Sequence, residues 1–403
     1  MKKFKRIFAL FFCFLITAGV LSGCGKAVSS SEAGTSTTET EKPLKVVTTI
    51  FPEYDWVRQI LGERAGNAEL TMLLDNGVDL HSYQPTADDI IKISDCDLFV
   101  YVGGESDGWV EDALKEATNK NMKVINLLDV LKDTVKTEEA VPGMQAEEGH
   151  NHGVADFADS DVKDRDLSDW NGEWQSAYPY ILDGTLDPVM EKKAESGTKT
   201  AEEYKDSSAM TDAEIADEML EHEEKEYDEH VWLSAKNAGT LCNAIAAALE
   251  EIDPANKEIY AANAKSYQEK LSALDAEYQS AVDNAARKTV LFGDRFPFRY
   301  LVDDYGLSYY AAFAGCSAES EASFETISFL AHKVDELNLP CVLTIEGTKH
   351  KIAETIVQNT VEKNQKILTL DSMQSTTTTD VENGTTYLSV MEDNLDILKQ
   401  ALN

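Results

Sequence analysis

The chain has 403 residues, enough for two ordinary domains with full cores. Its 73 Asp and Glu against 36 Lys and Arg give a formal net charge of −37. Such a surface repels phosphate backbones and anionic headgroups, which argues against a nucleic-acid partner and suits the attraction of cations.

Residues 1–23 have a basic start, an apolar stretch and then small residues, the layout of an export signal. The apolar part is short for a permanent span and leads to "LSGC", which resembles the bacterial lipobox and marks Cys24 for lipidation. A span retained as an anchor is the alternative. Cleavage removes Lys2, Lys3, Lys5 and Arg6 and no acid, so the remaining charge is nearer −41. The Ser/Thr-rich segment 24–43 reads as a flexible tether.

Short apolar runs follow at 44–50, 69–74, 98–104 and 123–129, with helical patterns such as "EYDWVRQILGERA" and "DGWVEDALKEATN" between them. Alternation of this kind predicts an α/β lobe with a parallel sheet, formed by 44–137 and 226–252. Residues 138–225 break the pattern, being acidic and dotted with Gly, and read as an insertion with mobile ends. Residues 253–288 contain no internal Gly or Pro and predict one long rigid helix, with Asp253 as N-cap and Pro254 at its first position. Four more apolar runs, at 289–294, 308–315, 341–347 and 366–372, predict a second α/β lobe over 289–403. The expected architecture is two parallel-sheet lobes joined by that helix. Cys96, Cys242, Cys316 and Cys341 are scattered without a CxxC pair, which argues against a thiolate zinc site. They read as buried free thiols, with one disulfide as the alternative.

His81, in "NGVDLHSYQPTADDI", follows a strand and precedes a helix, where open α/β sheets bind ligands. His230 precedes "VWLSAKNAGTLCNAIAAAL", a helix that Ser234 would cap. On spacing alone each is a metal ligand or an ordinary core-edge histidine. His332 and His350 are further nitrogen donors, or incidental. "HEEKE" lacks the second histidine of HExxH, and neither a GxSxG elbow nor a phosphate-cradling loop is present, so an enzyme is not expected.

"GVDLHSYQPTADDI", "DLFVYVGGESDGWV", "DEHVWLSAKNA" and "GTTYLSVMEDNLDILKQAL" resemble, in this order, the motifs of the zinc/manganese ABC-transporter solute-binding proteins. The resemblance covers roughly 44–135 and 226–403 and implies a metal site in the cleft between two lobes. It implies His81 and His230 as ligands and Asp371, in "LTLDSM", as an acidic one, with Glu346 lining the cleft. The family's third ligand falls on Arg295 in "GDRFPFRYLVDDYGL", and a guanidinium has no lone pair to offer a metal. Either the adjacent Asp294 replaces it, or Asp294 and Arg295 pair with other residues. Family members of the zinc type often carry a His-rich acidic loop, and His150, His152 and His222 imply weak metal capture there, a solvated linker being the alternative. Within the insertion, 164–208 resembles the opening of the ZinT zinc-binding family.

The resemblance thus implies an extracytoplasmic, lipid-anchored monomer on the bacterial cell membrane. It would capture Zn2+, with Mn2+ second, and deliver it to an ABC permease and its ATPase. The alternative is a surface lipoprotein of the same fold with weakened metal binding, acting in adhesion or zinc buffering.

Overall fold

A computed structural model describes residues 42–145, 192, 227–315, 321–347 and 350–403. Eight short, largely apolar runs form the strands, and each falls on a segment expected from the sequence. In the first sheet β1 (Leu44–Thr48), β2 (Ala68–Met72), β3 (Leu98–Tyr101) and β4 (Lys123–Asn126) lie in the order β2-β1-β3-β4, all parallel. In the second sheet β5 (Thr289–Phe296), β6 (Ser308–Ala314), β7 (Cys341–Thr344) and β8 (Lys366–Thr369) repeat that arrangement as β6-β5-β7-β8. Each sheet therefore reverses its winding beside its first strand, the position where a crevice opens at the carboxyl ends of the strands.

Helices cover the sheets because parallel strands are apolar on both faces. In α1 (Phe51–Leu61), Trp56, Val57, Ile60 and Leu61 are buried on the first sheet. α2 (Ala87–Asp95), α3 (Val110–Lys115) and α4 (Leu127–Leu131) complete the crossovers. α5 (Ala235–Ile252) starts where expected, the Ser234 hydroxyl accepting the Asn237 N–H. α6 (Lys257–Asp283) is the long helix, 27 residues and about 40 Å.

The start of α6 corrects the sequence reading. Asp253 is the C-cap of α5, its own N–H bonded to the Leu249 carbonyl, and α6 begins after Asn256. The Asp253 carboxylate is held by Asn256 Nδ2 and the Tyr260 hydroxyl, so it closes the corner between two helices instead of opening one. One stripe of α6, from Tyr260 through Tyr267, Leu271 and Tyr278 to Val282, is buried. It packs on α1 and α5 at one end and on α7 (Tyr387–Leu402) at the other. A single apolar cluster consequently runs from Val46 to Leu402 through both sheets.

The residues that flank the insertion are tied to each other, and its described start, 138–145, is held to the second lobe. Thr137 and Tyr227 form an antiparallel bridge, and the Asp228 N–H reaches the Lys136 carbonyl at 2.8 Å. Downstream, the Gln145 N–H reaches the Ala312 carbonyl at 2.9 Å. These bonds fix the segment that enters His230. Cys24, His150, His152, His222, Cys316 and, apart from Lys192, the ZinT-like stretch lie outside the described residues. Cys96, Cys242 and Cys341 are buried free thiols. Among the described residues no helix is long and apolar enough to cross a membrane.

Candidate metal centre

Two Asp-x-His segments build the site. In the 3-10 turn Leu80–Ser82, Asp79 is the N-cap and its Oδ1 accepts the His81 N–H at 3.0 Å. Before the turn Val231–Leu233, Asp228 Oδ1 accepts the His230 N–H and bonds His230 Nδ1, both at 2.9 Å. A carboxylate can only accept, so His230 carries its hydrogen on Nδ1 and turns the Nε2 lone pair outward. His81 is fixed in the same sense, with Nδ1 2.8 Å from Ser106 Oγ and 3.6 Å from Glu229 Oε2. Glu229 Oε1 in turn takes the Ser106 N–H at 2.9 Å. Gly104 permits that approach: its φ is +84°, and a Cβ there would sit 2.3 Å from Glu229 Oε1.

The two Nε2 atoms face each other across 3.3 Å. A tetrahedral ion with metal–nitrogen bonds of 2.0–2.1 Å holds two nitrogens about 3.3 Å apart, so the pair already has the spacing of two ligands. The short gap is bridged by one ring N–H or by a metal ion, according to whether the Ser106 hydroxyl donates to or accepts from His81 Nδ1. Burial and then the neighbouring His230 hold the His81 imidazole far below its ordinary pKa, with Arg295 acting in the same direction. Burial also works against the charged form of His230, but the Asp228 hydrogen bond and charge, with Glu229 and Asp79, outweigh it and raise that imidazole. A metal ion bound between the rings would have to displace any proton held there.

The second lobe supplies the opposite wall. Gly315, just past β6, lies against His230, and a Cβ there would be 3.1 Å from His230 Cε1 and 2.9 Å from the Phe296 carbonyl. Trp232 Nε1 donates to the Ser372 carbonyl at 2.8 Å and the Tyr387 hydroxyl to the Trp232 carbonyl at 2.6 Å, tying the His230 segment to that lobe. β5 shifts register against β6 between Phe292 and Arg295. Past that irregularity Arg295 Nη2 reaches Asp79 Oδ2 at 2.9 Å.

The structure brings together His81 and His230 but not the carboxylates named with them. Asp294 accepts the Arg295 N–H at 2.9 Å and is bonded by the Ile345 backbone near His350, so Arg295 and not Asp294 faces the histidines. Glu346 accepts from the Ser372 N–H and hydroxyl, both at 2.7 Å, and from Gln374 N–H at 3.1 Å. That carboxylate organises the loop after β8. Asp371 Oδ1 caps the Met373 N–H at 2.7 Å, and burial, then the charge of Glu346, lifts its pKa to about 6. Among the described residues no third His, Cys, Asp or Glu joins the pair closely enough to form a metal-holding group. His332 is exposed near Glu336, and His350 Nδ1 is buried without a partner among the described residues. Asp79, Ser106, Asp228 and Glu229 were not singled out from the sequence. The repeated Asp-x-His spacing at 79–81 and 228–230 was the available signal.

The chain was compared with known proteins. Residues 46–401 match the family model of the zinc-uptake complex component A, periplasmic. The zinc-binding lipoprotein AdcA of Streptococcus pneumoniae is 28% identical over 359 residues, covering 89% of this chain and 55% of that protein. The chain thus spans about half the length of the first curated relatives it matches. The high-affinity zinc uptake system protein ZnuA of Bacillus subtilis is 27% identical over 401 residues and matched over 98% of its length. Among solved structures, the Zn(II)-bound ZnuA-like domain of Streptococcus pneumoniae AdcA superposes with a TM-score of 0.57 at 25% identity, covering 89% of this chain and 99% of that one. The laminin-binding protein Lmb of Streptococcus agalactiae shares the fold, with a TM-score of 0.58 at 20% identity over 89% of this chain and all of that one.

Proposed function

Because the chain belongs to the family of the periplasmic zinc-uptake complex component A, we propose that it captures Zn2+ outside the cytoplasm and passes it to an ABC permease driven by its ATPase. The observation that carries this reading is the facing of two Nε2 lone pairs at 3.3 Å, each fixed from behind through Nδ1. Neutral imidazole is a borderline donor that favours zinc, with Mn2+, which prefers oxygen, in second place. The ion is cargo, held by His81 and His230. Asp294, Glu346 and Asp371 accept from backbone donors and stand apart from the histidine pair. The lipobox-like "LSGC" supports anchoring of Cys24 to the bacterial membrane, and His150, His152 and His222 support loose zinc capture ahead of the cleft.

Calorimetric titration of the purified chain with Zn2+ tests the reading. One tight site is expected, lost in the His81→Ala/His230→Ala double variant and kept when residues 145–225 are deleted. Tight binding that survives the loss of both histidines refutes the site; loss of all tight binding with the deletion moves it into the insertion.

A further inference from the structure

We propose that Arg295 sets the cation affinity of the histidine pair without touching the ion: its guanidinium ties the second lobe to the turn of His81 and cancels the carboxylate beside His81 Nε2. The proposal rests on reading His81 and His230 as the metal pair. Arg295 Nη2 reaches Asp79 Oδ2 at 2.9 Å, while Asp79 Oδ1 accepts the His81 N–H at 3.0 Å and lies 4.0 Å from His81 Nε2. Both oxygens are therefore engaged, and Asp79 acts on the gap by its charge alone.

That charge is half of an ion pair. A guanidinium does not deprotonate in a protein, so Arg295 offsets Asp79 at every pH at which the carboxylate is ionised. Beside the larger effects of burial and of His230, Asp79 favours a positive charge on the His81 ring and Arg295 opposes it, so both fields reach the pair. The two side chains are 24% and 22% exposed, which leaves those fields only partly screened. The other acids stand behind the rings, Asp228 Oδ1 at His230 Nδ1 and Glu229 Oε2 at His81 Nδ1. Asp79 stands on the Nε2 side, and its neutralisation leaves that side without net negative charge to draw in a dication. The same ion pair joins the lobes. Arg295 lies past the irregularity where β5 shifts register against β6, and Asp79 caps the turn Leu80–Ser82. Arg295 thus steadies the metal-free protein and weakens its hold on a metal.

Zinc affinity by competition with a chelator, and urea unfolding without metal, test this on the full chain at one salt concentration. Arg295→Gln can still donate to Asp79 but carries no charge. The expected result is a zinc affinity at least about tenfold tighter, the scale of one unit charge a few ångströms from a dication even in water, together with a lower urea midpoint. A merely structural residue would lower both. Arg295→Lys keeps the charge and should keep the wild-type affinity; a Lys variant as tight as the Gln one overturns the charge argument. Arg295→Met repeats the test if the Gln variant folds poorly. An unchanged or weaker affinity in the folded variant overturns the control of affinity, and an unchanged midpoint overturns the tie between the lobes. Zinc binding that survives His81→Ala/His230→Ala with either residue at 295, or is absent from both chains, overturns the histidine pair and the proposal with it.

Discussion

Asp107→Asn is expected to flatten the pH dependence of stability. Asp107 is 3% exposed; its Oδ2 accepts the Gly103 N–H at 2.9 Å, and its Oδ1 has no hydrogen-bond partner among the described residues. Burial, and then the charge of Glu229, raises its pKa from 3.8 to about 7. A carboxyl raised in this way is protonated in the fold and ionised in the unfolded chain between pH 4 and 7. Unfolding there releases a proton, so its contribution is fully present below about pH 4 and is lost as pH rises through about 7. Three pKa units correspond to on the order of 4 kcal/mol. Asn retains an acceptor for Gly103 and never ionises, so the difference in unfolding free energy between wild type and variant should shift by about that amount, in favour of the variant, from pH 4 to pH 8. Urea denaturation across this range measures it, and subtracting the two curves removes the contribution of the raised Asp371, whose charge does not act on Asp107. Parallel stability curves for the two proteins would refute the reasoning. The result bears on the site because Ser106, next in the chain, is what holds His81.

Three further outcomes follow from the same contacts. Asp228→Asn leaves an acceptor for the His230 N–H but removes the charge behind its ring; the imidazole pKa should fall in an NMR titration, and zinc affinity should drop about 10–100-fold. An unchanged imidazole pKa would show that Asp228 does not set it. Gly315→Ala forces a methyl against His230 and the Phe296 carbonyl and should cost about 1–3 kcal/mol in urea, weakening zinc binding with it; wild-type stability would mean that this wall yields freely. Trp232→Phe orphans the buried Ser372 carbonyl, with an expected loss of about 1–3 kcal/mol; a loss below about 0.5 kcal/mol would mean the carbonyl finds another donor.

The fold was legible because parallel strands are apolar on both sides and stand out as short Val/Ile/Leu runs, and all eight were placed. The start of α6 was misread because Asp253-Pro254 carries the local chemistry of a helix N-terminus. Its carboxylate is instead held by Tyr260, and the residues after Asp253 turn a corner before Lys257 begins the helix. His81 and His230 were legible from their motifs, although 149 positions separate them. Their supports were less so: Ser106 and Glu229 reach His81 only because β3 and the segment entering α5 converge at one end of the first sheet. A carboxylate in sequence also says nothing about which backbone donors will consume it. Asp294, Glu346 and Asp371 each take backbone or hydroxyl donors that their motifs do not announce.

Arg295 shows why a motif position is a weaker guide than a contact. Aligned by residue type it is a lost ligand, since a guanidinium repels a dication and offers it no lone pair. In the fold, the register shift in β5 carries this side chain to Asp79, one turn residue away from His81. Both imidazoles and Asp79 come from segments on the first sheet, while the second lobe offers Gly315 as a wall and Arg295 as a cation. Parting the lobes would therefore expose an ion without removing a nitrogen donor, and it would also open the apolar cluster that runs through both sheets along α6. The smaller change is to protonate His230, whose Asp228 partner already favours the charged ring. A proton on His230 would compete with a cation held between the two rings as proposed.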